Sequence, residues 1–283
     1  MGWFTGGPTI PVLRLTGTIG AVTPLRQGLS LAILADAIER AFSVRRAPAV
    51  AIVINSPGGS PVQSRLIFKR IRALAEEKSK PVYVFAEDVM ASGGYLIALA
   101  GDEIYADDNS IVGSIGVVSA SFGFVRAIDR LGIERRVYTS GESKVSLDPF
   151  LPEKDDDIAR LKELQRDVHE SFIGLVRERR GARLKEGDGK LFSGEFWSGE
   201  RARDLGLIDG LSDVRTKMRE IYGERVKLKL ISSERGWLRR RLGLLGWAGW
   251  LTGSGGDGTI PVSLADDVVS ALEARALWAR FGL

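Results

Sequence analysis

The chain of 283 residues contains no cysteine and a single histidine, His169. The first absence excludes a disulfide scaffold, a thiol nucleophile and thiolate metal sites. With one imidazole, a zinc site has little to coordinate it, so no metal and no organic cofactor is expected. His169 falls inside a long charged amphipathic segment with no metal-ligand spacing, where it reads as a surface or packing residue. Also missing is any run of roughly 18 to 20 apolar residues long enough to span a membrane. The opening MGWFTGGPTIPVLRL lacks the basic region and apolar stretch of a secretory signal. The expected location is the cytoplasm. Charge of one sign is scarce as well: 40 Lys plus Arg stand against 36 Asp plus Glu, a formal +4 that is too mild to imply a nucleic-acid partner.

What the sequence does have is apolar residues, at 44% of the chain, enough for a sizeable core. They recur in two alternating patterns. TIPVLRL (9–15), AVAIVIN (49–55), PVYVFA (81–86) and EIYA (103–106) read as short buried strands, and ERRVYT (134–139) as a further one. Helical periodicity marks 29–42, 61–77, the ASGGYLIALA segment, 124–131 and 154–180. Strands alternating with helices predict an α/β fold with parallel β-α-β connections. The character changes at Arg235, where RGWLRRRLGLLGWAGWLTGSGGDGT precedes a terminal helical segment. Residues 1–232 are therefore expected to form the globular domain and 233–283 a Trp/Arg-rich extension with a terminal helix.

Two glycine loops stand out. NSPGGS (55–60) and MASGGY (90–95) each end a strand and open a helix, where ligands gather in α/β sheets. Glycine admits close approach of backbone to ligand, and amides at a helix start point outward as donors. Two such loops side by side could make an oxyanion hole, or serve only tight turns and close packing. Neither matches the phosphate-loop spacing or the G-x-S-x-G elbow. With histidine scarce, lysine is the plausible base for a serine nucleophile, provided burial lowers its pKa. Lys144, in SGESKVSLDPF, has small neighbours and no adjacent positive run, which permits that role without selecting it. Asp148, beside Pro149, reads as a turn former.

Taken in order, NSPGGS, MASGGYLIALAGDEIYADDNSIVGSIGV, SGESKVSLDPF and SGERARDLGLIDG resemble the signal peptide peptidase A, protease IV and SohB family of serine peptidases, over roughly residues 10–222. The resemblance implies a ClpP/crotonase-like fold of repeated β-β-α units. It also implies a Ser/Lys dyad, with Ser92 as nucleophile and Lys144 as general base. On the same footing the amides of Gly59 and Gly93 hold the oxyanion, and Ser114, in Gly-Ser-Ile-Gly, orients the lysine. The implied activity is endopeptidase cleavage of extended apolar peptides, such as signal-peptide remnants or membrane-protein segments. Two alternatives are an acyl-CoA enzyme of the crotonase type and an inactive membrane-associated scaffold.

The resemblance also implies assembly. A single-domain chain of this kind is expected to form a homo-oligomeric ring in which Ser92 of one protomer meets Lys144 of the next. Peripheral membrane contact through 235–251 is a further expectation, from leucines at helical spacing beside arginines and tryptophans.

Overall fold

The computed structural model describes residues 7–20, 28–141, 144–185, 187–232 and 275–282. An eight-stranded sheet organises them. Its strands are β1 (Thr9–Thr16), β2 (Val50–Ser56), β3 (Val82–Ala91), β4 (Glu103–Ala106), β5 (Ile111–Gly113), β6 (Phe196–Ser198), β7 (Gly210–Leu211) and β8 (Lys227–Ile231). The main path runs β6-β5-β3-β2-β1-β8, with β4 joining β3 to β7. All pairings are parallel except β5 with β6.

The central strands read as unbroken apolar runs because both their faces are covered. On one face Leu13, Ile52, Ile54, Val84 and Met90 pack with residues of α1 (Leu31–Phe42), α2 (Pro61–Lys78), α3 (Gly93–Ala98) and α5 (Asp155–Arg180). On the other, Val12, Ala51, Val53 and Phe85 meet Met218 of α8 (Val214–Tyr222). Farther along that second face, Val89, Ala91 and Ile111 pack against Trp278 and Phe281 of the 275–282 segment. Shorter helices complete the order: α4 (Val125–Arg130), α6 (Asp188–Leu191) and α7 (Gly199–Asp204). Among the described residues no helix is long and apolar enough to cross a membrane.

The strands β1 to β4 and the helices α1 to α5 fall close to where periodicity places them, β5 to β8 and α6 to α8 carry no such expectation, and two expected strands differ. The third strand does not stop at Ala86 but continues to Ala91, so the following helix begins only at Gly93. Glu87 and Asp88 look like a strand end, yet they form a bulge: Ile54 pairs with Ala86, while Ser56, two residues on, pairs with Met90. Residues 134–139, expected as a strand, have no strand structure. A strand needs a neighbour's backbone groups, and among the described residues this exposed segment pairs with none.

The strand β8 ends at Ile231. The Trp/Arg-rich segment 235–251 lies outside the described residues, as does most of the terminal helical segment.

Candidate active site

The bulge in β3 determines where Ser92 stands. Asn55 clamps it from β2: its Nδ2 donates to Asp88 Oδ2 at 2.6 Å, and its Oδ1 accepts from the Val89 amide at 3.2 Å. From the other side Ser110 Oγ donates to the Glu87 carbonyl at 2.6 Å, and Arg14 pairs with the Glu87 carboxylate at 2.8 Å. Beyond the bulge Met90 and Ala91 re-enter the ladder against Val112 and Gly113, and the Ser92 amide donates to the Gly113 carbonyl at 2.8 Å.

Ser92 then turns the chain sharply into α3. Its backbone adopts φ 51° and ψ −120°, a region costly for a residue with a side chain. Serine ahead of a helix commonly caps it, but the Ser92 side chain makes no capping hydrogen bond here. It lines a cleft instead.

The two glycine loops abut at this point. Gly59, at φ 141°, lies so close to the β1 side of the sheet that an added Cβ would sit 2.1 Å from the Ile19 carbonyl oxygen. A Cβ on Gly93 would sit 2.4 Å from Ser64 Oγ and 3.4 Å from the Gly59 nitrogen. Among the described residues nothing accepts from the Gly59 or Gly93 amides. The glycines thus do permit close packing, and the same approach leaves two unengaged donors beside Ser92. Ser114 is buried at φ 54°, its amide donating to the Glu195 carbonyl at 2.7 Å.

The cleft encloses about 440 Å³. One wall is α2, with Val62, Arg65, Leu66 and Lys69; the facing wall is α5, with Asp167, Val168 and Phe172. Leu96, Gly116 and Val117 lie between. Sequence reasoning missed this lining. The signal available was Val62 and Leu66 at i, i+4 on a helix face, exposed although apolar. His169, on α5, donates from Nε2 to the Ile115 carbonyl at 3.1 Å, tying that helix to the loop after Ser114.

Lys144 is not among the residues lining the cleft. It is exposed, on an arm in which none of the described residues from 118 to 156 is buried. The arm has its own internal order. Phe124 stacks on Phe150 with centroids 5.4 Å apart, and its amide donates to the Pro149 carbonyl. Asp148 forms the turn expected of it, accepting from the Phe150 amide at 2.9 Å and pairing with Arg135 at 2.6 Å. That amide and that guanidinium hold its carboxyl below the usual range. Among the described residues no cluster of His, Cys, Asp or Glu could hold a metal ion.

A nucleophile-type turn flanked by free amides, at the C-terminal edge of a mostly parallel sheet, defines a class of hydrolytic site, and comparison with known proteins narrows it. The family profile described as "Peptidase family S49" matches residues 75–227. The chain belongs to that family, which includes the signal peptide peptidase A and protease IV proteins, and its fold is α/β with a mostly parallel central sheet. An Arabidopsis thaliana protein named "Serine protease SPPA, chloroplastic" is 32% identical over 216 residues, covering 73% of this chain and 31% of its own length. "Protease 4" of Salmonella typhi is 32% identical over 222 residues, covering 74% of this chain and 33% of its own. A Brucella abortus protein named "Na(+)/H(+) antiporter NhaA" is 57% identical over 275 residues, or 97% of this chain but 37% of that protein. The chain therefore spans about a third of the length of these relatives. The antiporter name belongs to a much longer protein and is not carried over to this chain.

Proposed function

We propose that the chain is a serine endopeptidase in which Ser92 is the nucleophile and Lys144 the general base. The observation that carries this reading is the strained, non-capping Ser92 beside the two unengaged amides of Gly59 and Gly93. The clamped bulge and the Gly113 carbonyl hold Ser92 in that conformation, and its side chain faces the cleft rather than capping the helix. Ser92 Oγ adds to the scissile carbonyl as neutral lysine takes its proton, and the oxyanion accepts from both amides. The protonated lysine gives that proton to the leaving amine. Water then enters, loses a proton to the same lysine and displaces Ser92 from the acyl-enzyme.

The lysine is supplied by a second copy. Lys144 stands on the exposed arm and does not line the cleft of its own chain, and the arm leaves Phe122, Leu131 and Tyr138 at 76%, 71% and 90% exposure. Apolar surface of that extent favours a neighbouring subunit. A head-to-tail contact that closes by rotation makes a ring with shared sites, Ser114 then steering the incoming lysine. The cleft walls, mostly aliphatic and aromatic, suit extended apolar peptide.

The test is labelling with a fluorophosphonate probe followed by peptide mapping. This reading expects modification of Ser92 in the intact protein and its loss in Lys144→Ala. Labelling elsewhere, or unchanged labelling of Ser92 without Lys144, contradicts it.

A further inference from the structure

The cleft beside Ser92 is not uniformly apolar. Arg65 lies one turn into α2, about 6 Å along the axis from Pro61, among Val62, Leu66 and Leu96. Its guanidinium lies over the Phe68 ring, 5.3 Å from the centroid, and its Nη1 is buried with no hydrogen-bond partner. A buried guanidinium nitrogen without an acceptor is unfavourable and rare. Lys69 follows one turn later on the same wall. Asp167, on the facing wall, is the one acid lining the cleft, yet among the described residues it pairs with neither cation. The cleft thus combines apolar walls with an excess of unpaired positive charge in the same cavity as Ser92.

From this we infer that Arg65 is a specificity-determining residue, recognising a carboxylate on an otherwise apolar peptide. Arg65 and Ser92 line the same cleft, so an extended peptide held at Ser92 presents one of its neighbouring residues to Arg65. The carboxylate comes either from an acidic side chain there or from the end of a short peptide chain. A guanidinium suits both, because its planar fork can donate two parallel hydrogen bonds to one carboxylate. Aliphatic residues on either side fill the Val62, Leu66 and Phe172 surfaces. The inference rests on the proposed use of this cleft for peptides, but not on which group attacks.

Binding of fluorescent apolar octapeptides to full-length Ser92→Ala protein tests it without turnover. Each peptide carries one glutamate, at each position in turn, and is paired with its glutamine counterpart. A second set compares a free C-terminal carboxylate with the amide. The expected result is about tenfold tighter binding of one glutamate peptide than of its glutamine partner. That ratio should collapse towards one in Ser92→Ala/Arg65→Met and be retained only in part in Ser92→Ala/Arg65→Lys, which keeps the charge without the fork and also serves as the folded reference. A preference confined to the acid over the amide termini, and lost likewise with Arg65→Met, assigns the carboxylate to the chain end. Equal binding within both sets overturns the proposal, as does a preference that persists in Arg65→Met. Failure of Ser92 to label in the wild type bears on the nucleophile alone and leaves this binding result standing.

Discussion

The sheet-bearing body and the arm differ in what holds them. In the body, Leu13, Ile52, Ile54 and Val84 are completely buried between helices and sheet, and Ser92 is fixed by the backbone of two strands and a clamped bulge. Along the arm none of the described residues from 118 to 156 is buried, and order comes from the short helix α4, local turns and side-chain contacts such as Phe124 with Phe150 and Arg135 with Asp148. Ser92 thus sits on a part that one chain can stabilise by itself. Lys144 sits on a part whose apolar side chains Phe122, Leu131 and Tyr138 are exposed in the single chain. The proposed nucleophile and base are divided along the same line as the packing.

Substitutions can break that comparison on either side, and the largest effect is expected from the reacting groups. Ser92→Ala and Lys144→Ala should each lower turnover on the order of 10⁴-fold or more with little change in thermal unfolding, since neither is part of the core. A peptide-hydrolysis assay alongside calorimetry checks both halves of the statement. Gly59→Ala comes next. It should cost about 10²- to 10³-fold in kcat through a displaced oxyanion donor, with a lowered Tm as well, because the new Cβ meets the Ile19 carbonyl.

Asn55→Ala asks whether the bulge positions Ser92 or merely stabilises the sheet. Loss of its two hydrogen bonds should destabilise by about 1–3 kcal/mol, and kcat should fall by about tenfold while KM changes less. An unchanged kcat in the folded variant would assign Asn55 a purely structural part.

The smallest effect belongs to the arm turn. The Phe150 amide and Arg135 depress the Asp148 carboxyl pKa, so their support is full above the ordinary carboxylate range. It is lost only as pH falls through the lowered value. Limited proteolysis of the arm from about pH 7 to about pH 3 should show protection failing at the acid end in the wild type. Asp148→Asn should be cut faster throughout, without that acid step.

The strands β1 to β4 and the long helices α1, α2 and α5 were legible because their faces are buried in two-sided or one-sided patterns that the order of apolar residues records directly, whereas β5 to β8 are too short or too exposed to carry such a pattern. Glu87 and Asp88 concealed the extension of β3, since an acidic pair reads as a turn unless the partner strand supplies a clamp such as Asn55. ERRVYT failed in the opposite way: its pattern suits a strand, but pairing depends on a neighbour that alternation does not encode. Ser92, Gly59 and Gly93 were readable as motif residues because the turn needs those residue types locally. Arg65 and the lining of the cleft were not, because their meeting depends on how α2 and α5 pack across the sheet.

The central claim is that a complete site requires two chains, and mixing inactive variants tests it most directly. Ser92→Ala and Lys144→Ala proteins are combined under conditions where isotope-labelled subunits are shown by mass spectrometry to exchange, and peptide hydrolysis is followed. Shared sites predict recovered activity, from contacts that pair an intact Ser92 with an intact Lys144. Demonstrated exchange with no recovery at any ratio would contradict the account and place both residues of each site in one chain.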